Sequence, residues 1–213
     1  MVKFIVIRHG HSVSNKEKTY TGQLDVALSS EGIDQAKSLA EYLYENYKVD
    51  SVYSSNLIRA KHTADFVAEK FGLPVIIEED LKEMYCGKWE GLTAEQAEAL
   101  YPEDFLDWQT NLEDGRCTDG EWMSEIKSRA VRAIKKIAEE NDGKTVVIVS
   151  HGCVIRALQG EWLGISYREL KEMPWVTNAS ITRVCYEQGK WSVLQTGYDG
   201  YLGNMRTEMP KLI

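Results

Sequence analysis

Two apolar runs, far apart in the chain, end in the same dipeptide. Phe4-Ile5-Val6-Ile7 leads into Arg8-His9-Gly10-His11-Ser12, and Thr145-Val146-Val147-Ile148-Val149 leads into Ser150-His151-Gly152. Short unbroken apolar runs of this kind are the mark of strands buried on both faces, as in a parallel sheet. Such strands carry whatever follows them to the carboxyl edge, where open α/β sheets bind their ligands. Reactive side chains are therefore expected at one edge, with Gly10 letting the chain turn close to a ligand.

The segments between the two runs alternate helix and strand patterns. Residues 49–53 and 74–78 read as further short strands. Leu28-Ser29-Ser30-Glu31-Gly32 supplies hydroxyl caps and an early acid for a helix with Ile33, Ala36, Ala40, Leu43 and Tyr47 on its buried face. Ser54-Ser55-Asn56 reads as the cap of a helix over 57–71, ended by Gly72 and Pro74. A long amphipathic helix is predicted over 121–140, with Ile126, Ala130, Ile134 and Ile137 inward, and another over 153–163. Residues 181–186 and 191–195 flank Glu187-Gln188-Gly189-Lys190, the pattern of an antiparallel edge hairpin. Residues 12–25 and the tail from Gly197 onward carry no regular pattern.

Alternation of this kind predicts an α/β fold: a three-layer, doubly wound, mostly parallel sheet with helices on both faces and a C-terminal antiparallel edge hairpin. One domain over 1–213 is expected, with a helical lid insertion at about 92–120. The insertion's Tyr101, Phe105 and Trp108 read as a small core of its own, and Asp114-Gly115-Arg116-Cys117-Thr118-Asp119-Gly120 as a flexible exit.

Charge narrows the function classes. Twenty-five Lys and Arg against 33 Asp and Glu give a net charge of −8, which argues against nonspecific attraction to nucleic acid or anionic lipid. No apolar stretch has the roughly 20 residues of a membrane span. Met1-Val2-Lys3-Phe4 runs straight into a strand without the features of a secretory signal, so a cytoplasmic protein is expected. Cys86, Cys117, Cys153 and Cys185 show no Cys-x-x-Cys pairing and read as reduced thiols. The oligomeric state stays open.

Arg8, His9, Arg59, Glu83 and His151 all fall at or just after predicted strand ends, so one location can gather them. Two arginines and two histidines, without several carboxylates, suit an anion better than a metal ion. Phosphate is the natural candidate, because the guanidinium fork bonds its oxygens bidentately and keeps its charge. A neutral imidazole can attack phosphorus, so either His9 or His151 can be the nucleophile of a two-step transfer. The departing alcohol needs a proton, and Glu83 is the acid that fits this role. His62 and Cys153 read as structural.

Taken together, Arg8-His9-Gly10, Asn15, Asp25, Leu28-Ser29, Gly32, Gln35-Ala36, Arg59-Ala60, Thr63-Ala64, Glu83, Gly87-Lys88-Trp89-Glu90-Gly91 and Ser150-His151-Gly152 resemble the histidine phosphatase superfamily, the phosphoglycerate mutase-like proteins. The resemblance implies that His9 is the phosphorylated nucleophile and Glu83 the acid that later activates water. It implies that Arg8, Arg59, His151 and Asn15 bind the phosphoryl group, that Thr21-Gly22-Gln23 is a substrate-side loop, and that no metal or other cofactor takes part. A phosphomonoester phosphatase acting on small phosphorylated metabolites is expected. The alternatives are a cofactor-dependent phosphoglycerate mutase and a phospho-ligand binding module without turnover. Hydrolysis is favoured because Met84 and Cys86 stand where the mutases typically carry Arg and Tyr, and because Arg116 is isolated where they carry an arginine pair. His11 replaces a Glu of many relatives, and Tyr201-Leu202 a common His-Leu pair; both positions bear on the substrate.

Overall fold

The computed structural model describes residues 1–111, 113 and 115–207. Asp114, at the start of the predicted flexible exit, and the last six residues of the tail lie outside the described residues.

The elements run β1 (Val2–Arg8), α1 (Val13–Glu17), α2 (Ser30–Asn46), β2 (Ser51–Ser54), α3 (Ile58–Phe71), β3 (Val75–Ile77), α4 (Ala94–Leu100), α5 (Pro102–Thr110), α6 (Met123–Glu140), β4 (Thr145–Ser150), α7 (Gly152–Leu163), α8 (Tyr167–Glu172), β5 (Ile181–Glu187) and β6 (Lys190–Tyr198). The six strands form one sheet in the order β3-β2-β4-β1-β5-β6. The first four are parallel to one another; β5 joins β1 antiparallel and continues into the predicted edge hairpin with β6. This is the α/β architecture expected from the alternating pattern.

The two apolar runs are the central pair of strands, and their alternate side chains serve different layers. Phe4, Val6, Val146 and Ile148 face α6, α7 and the insertion; Ile5, Ile7, Val147 and Val149 face α2 and α3. On the second face, fully buried Leu39 and Leu43 of α2 each contribute about 1.5–3 kcal/mol relative to an exposed position. The buried stripe of α2 is Gln35, Ala36, Leu39, Ala40 and Leu43. Ile33, expected inward, is only half-buried.

Four local expectations change. Residues 12–25 are not wholly irregular: Ser12 and Asn15 form a reciprocal capping box for α1. Ser55 Oγ does accept the Leu57 N–H at 3.1 Å, but the first N–H within α3, that of Ile58, is taken by Asp25, distant in sequence, at 2.6 Å. The tail beyond Gly197 is ordered as far as it is described. Its 3-10 turn, Gly200–Met205, stacks Tyr201 on Tyr42 at 4.7 Å, and the Tyr201 hydroxyl donates to the Ala179 carbonyl. Finally, Phe105 and Trp108 of the insertion are buried within the larger of the two cores rather than in a core of their own. Among the described residues no helix is long and apolar enough to cross a membrane.

Candidate active site

The register of β1 on β4 sets Arg8 opposite Ser150, so the next residues, His9 and His151, emerge side by side at the carboxyl edge. Their ring centroids are 5.1 Å apart, and both rings are buried. The turn after β1 is held from several directions. The His9 N–H donates to the Ser150 carbonyl at 2.9 Å, Asn178 donates to the His9 carbonyl at 3.1 Å, and Thr63 Oγ1 accepts the Gly10 N–H at 3.1 Å. Gly10 is needed here for a reason other than a ligand: an added Cβ would stand 2.6 Å from the Gly32 carbonyl oxygen at the start of α2.

His9 Nδ1 lies 2.7 Å from the Gly10 carbonyl. A carbonyl only accepts, so Nδ1 carries the proton and Nε2 keeps its lone pair. Burial, then the charges of Arg59 and Arg8, push the His9 pKa well below 6.5, which keeps the ring neutral at physiological pH. Burial, Arg59 and His9 lower His151 in the same sense. His151 Nε2 shares a hydrogen bond with Ser55 Oγ at 2.8 Å, and its buried Nδ1 has no partner among the described residues.

Arg59 sits in the first turn of α3 and is 1% exposed. Its Nη1 and Nη2 donate to the carbonyls of Leu24 and Gly22, each at 2.8 Å, while its Nε has no partner among the described residues. Arg8 Nη1 donates to the Val176 carbonyl at 2.7 Å. Burial lowers both arginines, opposed in each by the Glu83 carboxylate, yet a guanidinium keeps its charge. Arg59, buried and held by neutral carbonyls, sits where an arriving anion is favourable. Gly22 is itself constrained: its φ is +51°, and a Cβ would meet Glu90 Oε1 at 2.1 Å. Glu90 Oε1 accepts the Gln23 N–H at 2.7 Å, fastening the loop that holds Arg59.

Glu83 Oε1 accepts the Met84 N–H at 2.9 Å, and Oε2 accepts the Cys153 N–H, at the start of α7, at 3.5 Å. Its main chain is clamped by Arg129, which also reaches the Asp80 and Lys82 carbonyls and pairs with both oxygens of Glu121. Burial, followed by the charge of Glu83, pushes the Cys153 thiol well up, so it is not the thiolate that nucleophilic chemistry requires.

These groups surround a cavity of about 100 Å³. Arg8, His9, Asn15, Thr21, Gly22, Arg59 and Glu83 line it; His151 lies buried against His9 without lining it. Two residues of the expected substrate side are elsewhere. His11 Nδ1 lies 3.0 Å from Ser29 Oγ and 3.7 Å from Glu31, at the start of α2. Gln23 Nε2 donates to the Glu83 carbonyl at 3.0 Å, bracing the acid's backbone. Asn15 Oδ1 accepts from Asn178 at 3.1 Å. Among the described residues no three His, Cys, Asp or Glu side chains are grouped as metal ligands.

Sequence reasoning passed over Ser55, Asn178 and Arg129. Ser55 was taken up by the predicted cap, and Asn178 lies in a stretch without pattern. Arg129 did carry a signal: three residues after Ile126, it falls on the inward face of α6, where an unpaired charge is costly.

The chain is similar to known proteins over most of its length. The model of the histidine phosphatase superfamily (branch 1) matches residues 4–199. Phosphoglycerate mutase-like protein 4 of Arabidopsis thaliana is 33% identical over 193 residues, 90% of this chain and 83% of that one. Phosphoserine phosphatase 1 of Hydrogenobacter thermophilus is 32% identical over 213 residues, 100% of both chains. Among solved structures, a phosphoserine phosphatase mutant from Entamoeba histolytica in complex with phosphoserine superposes with a TM-score of 0.84 at 27% identity, over 95% of this chain and 100% of that one. With the family model spanning both His-Gly turns and everything between them, the chain belongs to the histidine phosphatase superfamily, branch 1.

Proposed function

We propose that this chain is a metal-independent phosphomonoester phosphatase acting on small phosphorylated metabolites through a phosphohistidine on His9. The observation that carries the reading is the state of His9: buried, neutral, its Nδ1 tied to Gly10, its Nε2 lone pair left for attack beside two arginines. Arg8, Arg59 and Asn15, which line the cavity, hold the phosphoryl oxygens, and His151, buried against His9, backs the nucleophile. Nε2 attacks phosphorus, the P–O bond to the alcohol breaks with its electron pair on the departing oxygen, and that oxygen takes a proton from Glu83, whose carboxylate has first accepted it from the incoming phosphate monoanion. Glu83, again a carboxylate, takes a proton from water as that water's oxygen attacks phosphorus. The P–N bond breaks, its electrons return to Nε2, and phosphate leaves. The charge that spreads over the phosphoryl oxygens is met by guanidinium groups that burial has already placed, so little reorganisation is required. The names of the phosphoserine phosphatase relatives support hydrolysis.

The test is phosphate release from a panel of phosphomonoesters, with isomerisation of 3-phosphoglycerate measured alongside and acid-labile phosphate assayed on the quenched protein. Wild type releases phosphate and traps label; His9→Ala does neither. Isomerisation far above hydrolysis would replace the reading with a mutase. Failure of the wild type to acquire label or release phosphate would leave a binding module.

A further inference from the structure

The rest of the cavity has a chemical character of its own. Beyond the phosphoryl residues, its lining is dominated by Tyr20, Met84, Cys86, Trp108, Cys153 and Trp175, from five separate stretches of chain. Burial pushes the Cys153 thiol and the Tyr20 phenol up, and a hydrogen bond with Cys117 together with burial does the same for Cys86. All three are uncharged at neutral pH.

Among the described residues lining the cavity the only cations are Arg8 and Arg59, and the only acid is Glu83. Other arginines of this half of the molecule are committed elsewhere. Arg116 lies 4.3 Å over the Trp122 ring and donates to the Gly120 carbonyl. Arg129 is paired with Glu121. Arg156 donates to the Pro174 and Lys171 carbonyls and stacks 4.8 Å over the Trp175 ring. With both lining arginines engaged by a phosphoryl group, a carboxylate on the leaving alcohol would lose its water against aromatic rings, near Glu83, with no cation to meet it. An aromatic or aliphatic group would instead exchange water for ring and thioether contacts.

We infer that the preferred substrates are phosphate esters of uncharged alcohols bearing an aromatic or aliphatic group, and that Trp175 is a specificity-determining residue of the leaving-group side. This rests on the phosphatase reading, and it runs against a simple transfer of phosphoserine, a carboxylate-bearing ester, from the relatives.

Matched pairs of esters test it on the intact protein. Glycerol 3-phosphate and 3-phosphoglycerate differ by a hydroxymethyl group in place of a carboxylate; 2-phenylethyl and propyl phosphate differ by the ring. Expected are kcat/KM ratios of about tenfold in favour of glycerol 3-phosphate and of the phenylethyl ester, the scale a small difference in pocket contacts supports. Trp175→Ala, at a half-buried position, removes most of the phenylethyl advantage while leaving the first ratio in place. Equal or faster hydrolysis of 3-phosphoglycerate overturns the inference, as does a phenylethyl advantage that is absent or survives Trp175→Ala. Hydrolysis of none of the four esters overturns the phosphatase reading itself and this preference with it, an outcome distinct from hydrolysis in the wrong order.

Discussion

Arg129 donates through Nη2 to the main-chain carbonyl of Glu83 at 3.1 Å. The same guanidinium bonds the carbonyls of Asp80 and Lys82 and forks onto Glu121 at 2.6 and 2.9 Å. One buried side chain on a long helix thus sets the path of the loop that presents the acid. Arg129→Ala takes its partner from Glu121 and the donor from the Asp80 and Lys82 carbonyls, leaving the Glu83 carbonyl to Gln23 alone, and breaking a buried pair of this kind costs about 3–5 kcal/mol. Urea unfolding should register that loss, and kcat/KM should fall with it. Arg129→Lys keeps the charge but not the fork, so it should recover only part of either quantity.

How much of this was legible beforehand follows from the range of each interaction. The strand pair and the His-Gly turns could be read because periodicity and the residues that follow a strand are local signals. Arg59 could be placed at the site because it lies in the first turn after a strand. The clamp on Glu83 could not: Arg129 is 46 residues away, and only the packing of α6 against the 80–83 loop brings the two together. The same holds for the Asp25 cap of α3 and for Tyr201 under Ala179. His11 misled because nearness to His9 in sequence does not survive the turn at Gly10: its ring lies 3.0 Å from Ser29 Oγ, at the start of α2.

The two buried histidines make stability fall with acid. Burial and nearby arginines hold both folded-state pKa values well below 6.5. The unfolded chain therefore binds more protons than the folded one in the window beneath that value, and stability rises with pH there. It is fully present above about 6.5 and is lost as pH falls toward the folded pKa values, with a limiting slope of about 1.4 kcal/mol per pH unit for each ring. Urea midpoints of wild type between pH 7 and pH 5 should show this decline beyond that of the carboxylates. His9→Asn combined with His151→Asn should flatten it; an unchanged slope would mean that neither ring is held neutral.

Ser55 Oγ is the bonded partner of His151 Nε2 at 2.8 Å, in a fully buried setting. Removing the hydroxyl leaves a buried ring nitrogen unsatisfied, at about 1–3 kcal/mol. Ser55→Ala should lower stability by that margin, a fall of roughly 2–12 °C in the thermal midpoint of a chain this size. It should also reduce kcat more than it raises KM, because a ring no longer fixed behind His9 contributes less at the transition state than in the bound complex. Ser55→Thr, which retains the hydroxyl, should restore part of kcat.

Gly152 separates what the fold needs from what the ligand needs. A Cβ there would lie 3.7 Å from Arg8 Cζ and 3.8 Å from Glu83 Oε2, both ordinary contact distances, so the folded chain accommodates it. Those two atoms belong to groups that line the cavity, and Gly152 lines it too. Gly152→Ala should leave the thermal midpoint close to wild type, aided by alanine's better fit to the first turn of α7. The methyl group should nonetheless weaken competitive inhibition by inorganic phosphate roughly tenfold or more, since a displacement of about 1 Å at a reacting centre costs on the order of a hundredfold in rate. Unchanged phosphate inhibition in a stable Gly152→Ala protein would place the phosphoryl group away from the space between Arg8 and Glu83, and the roles assigned to both residues would have to be redrawn.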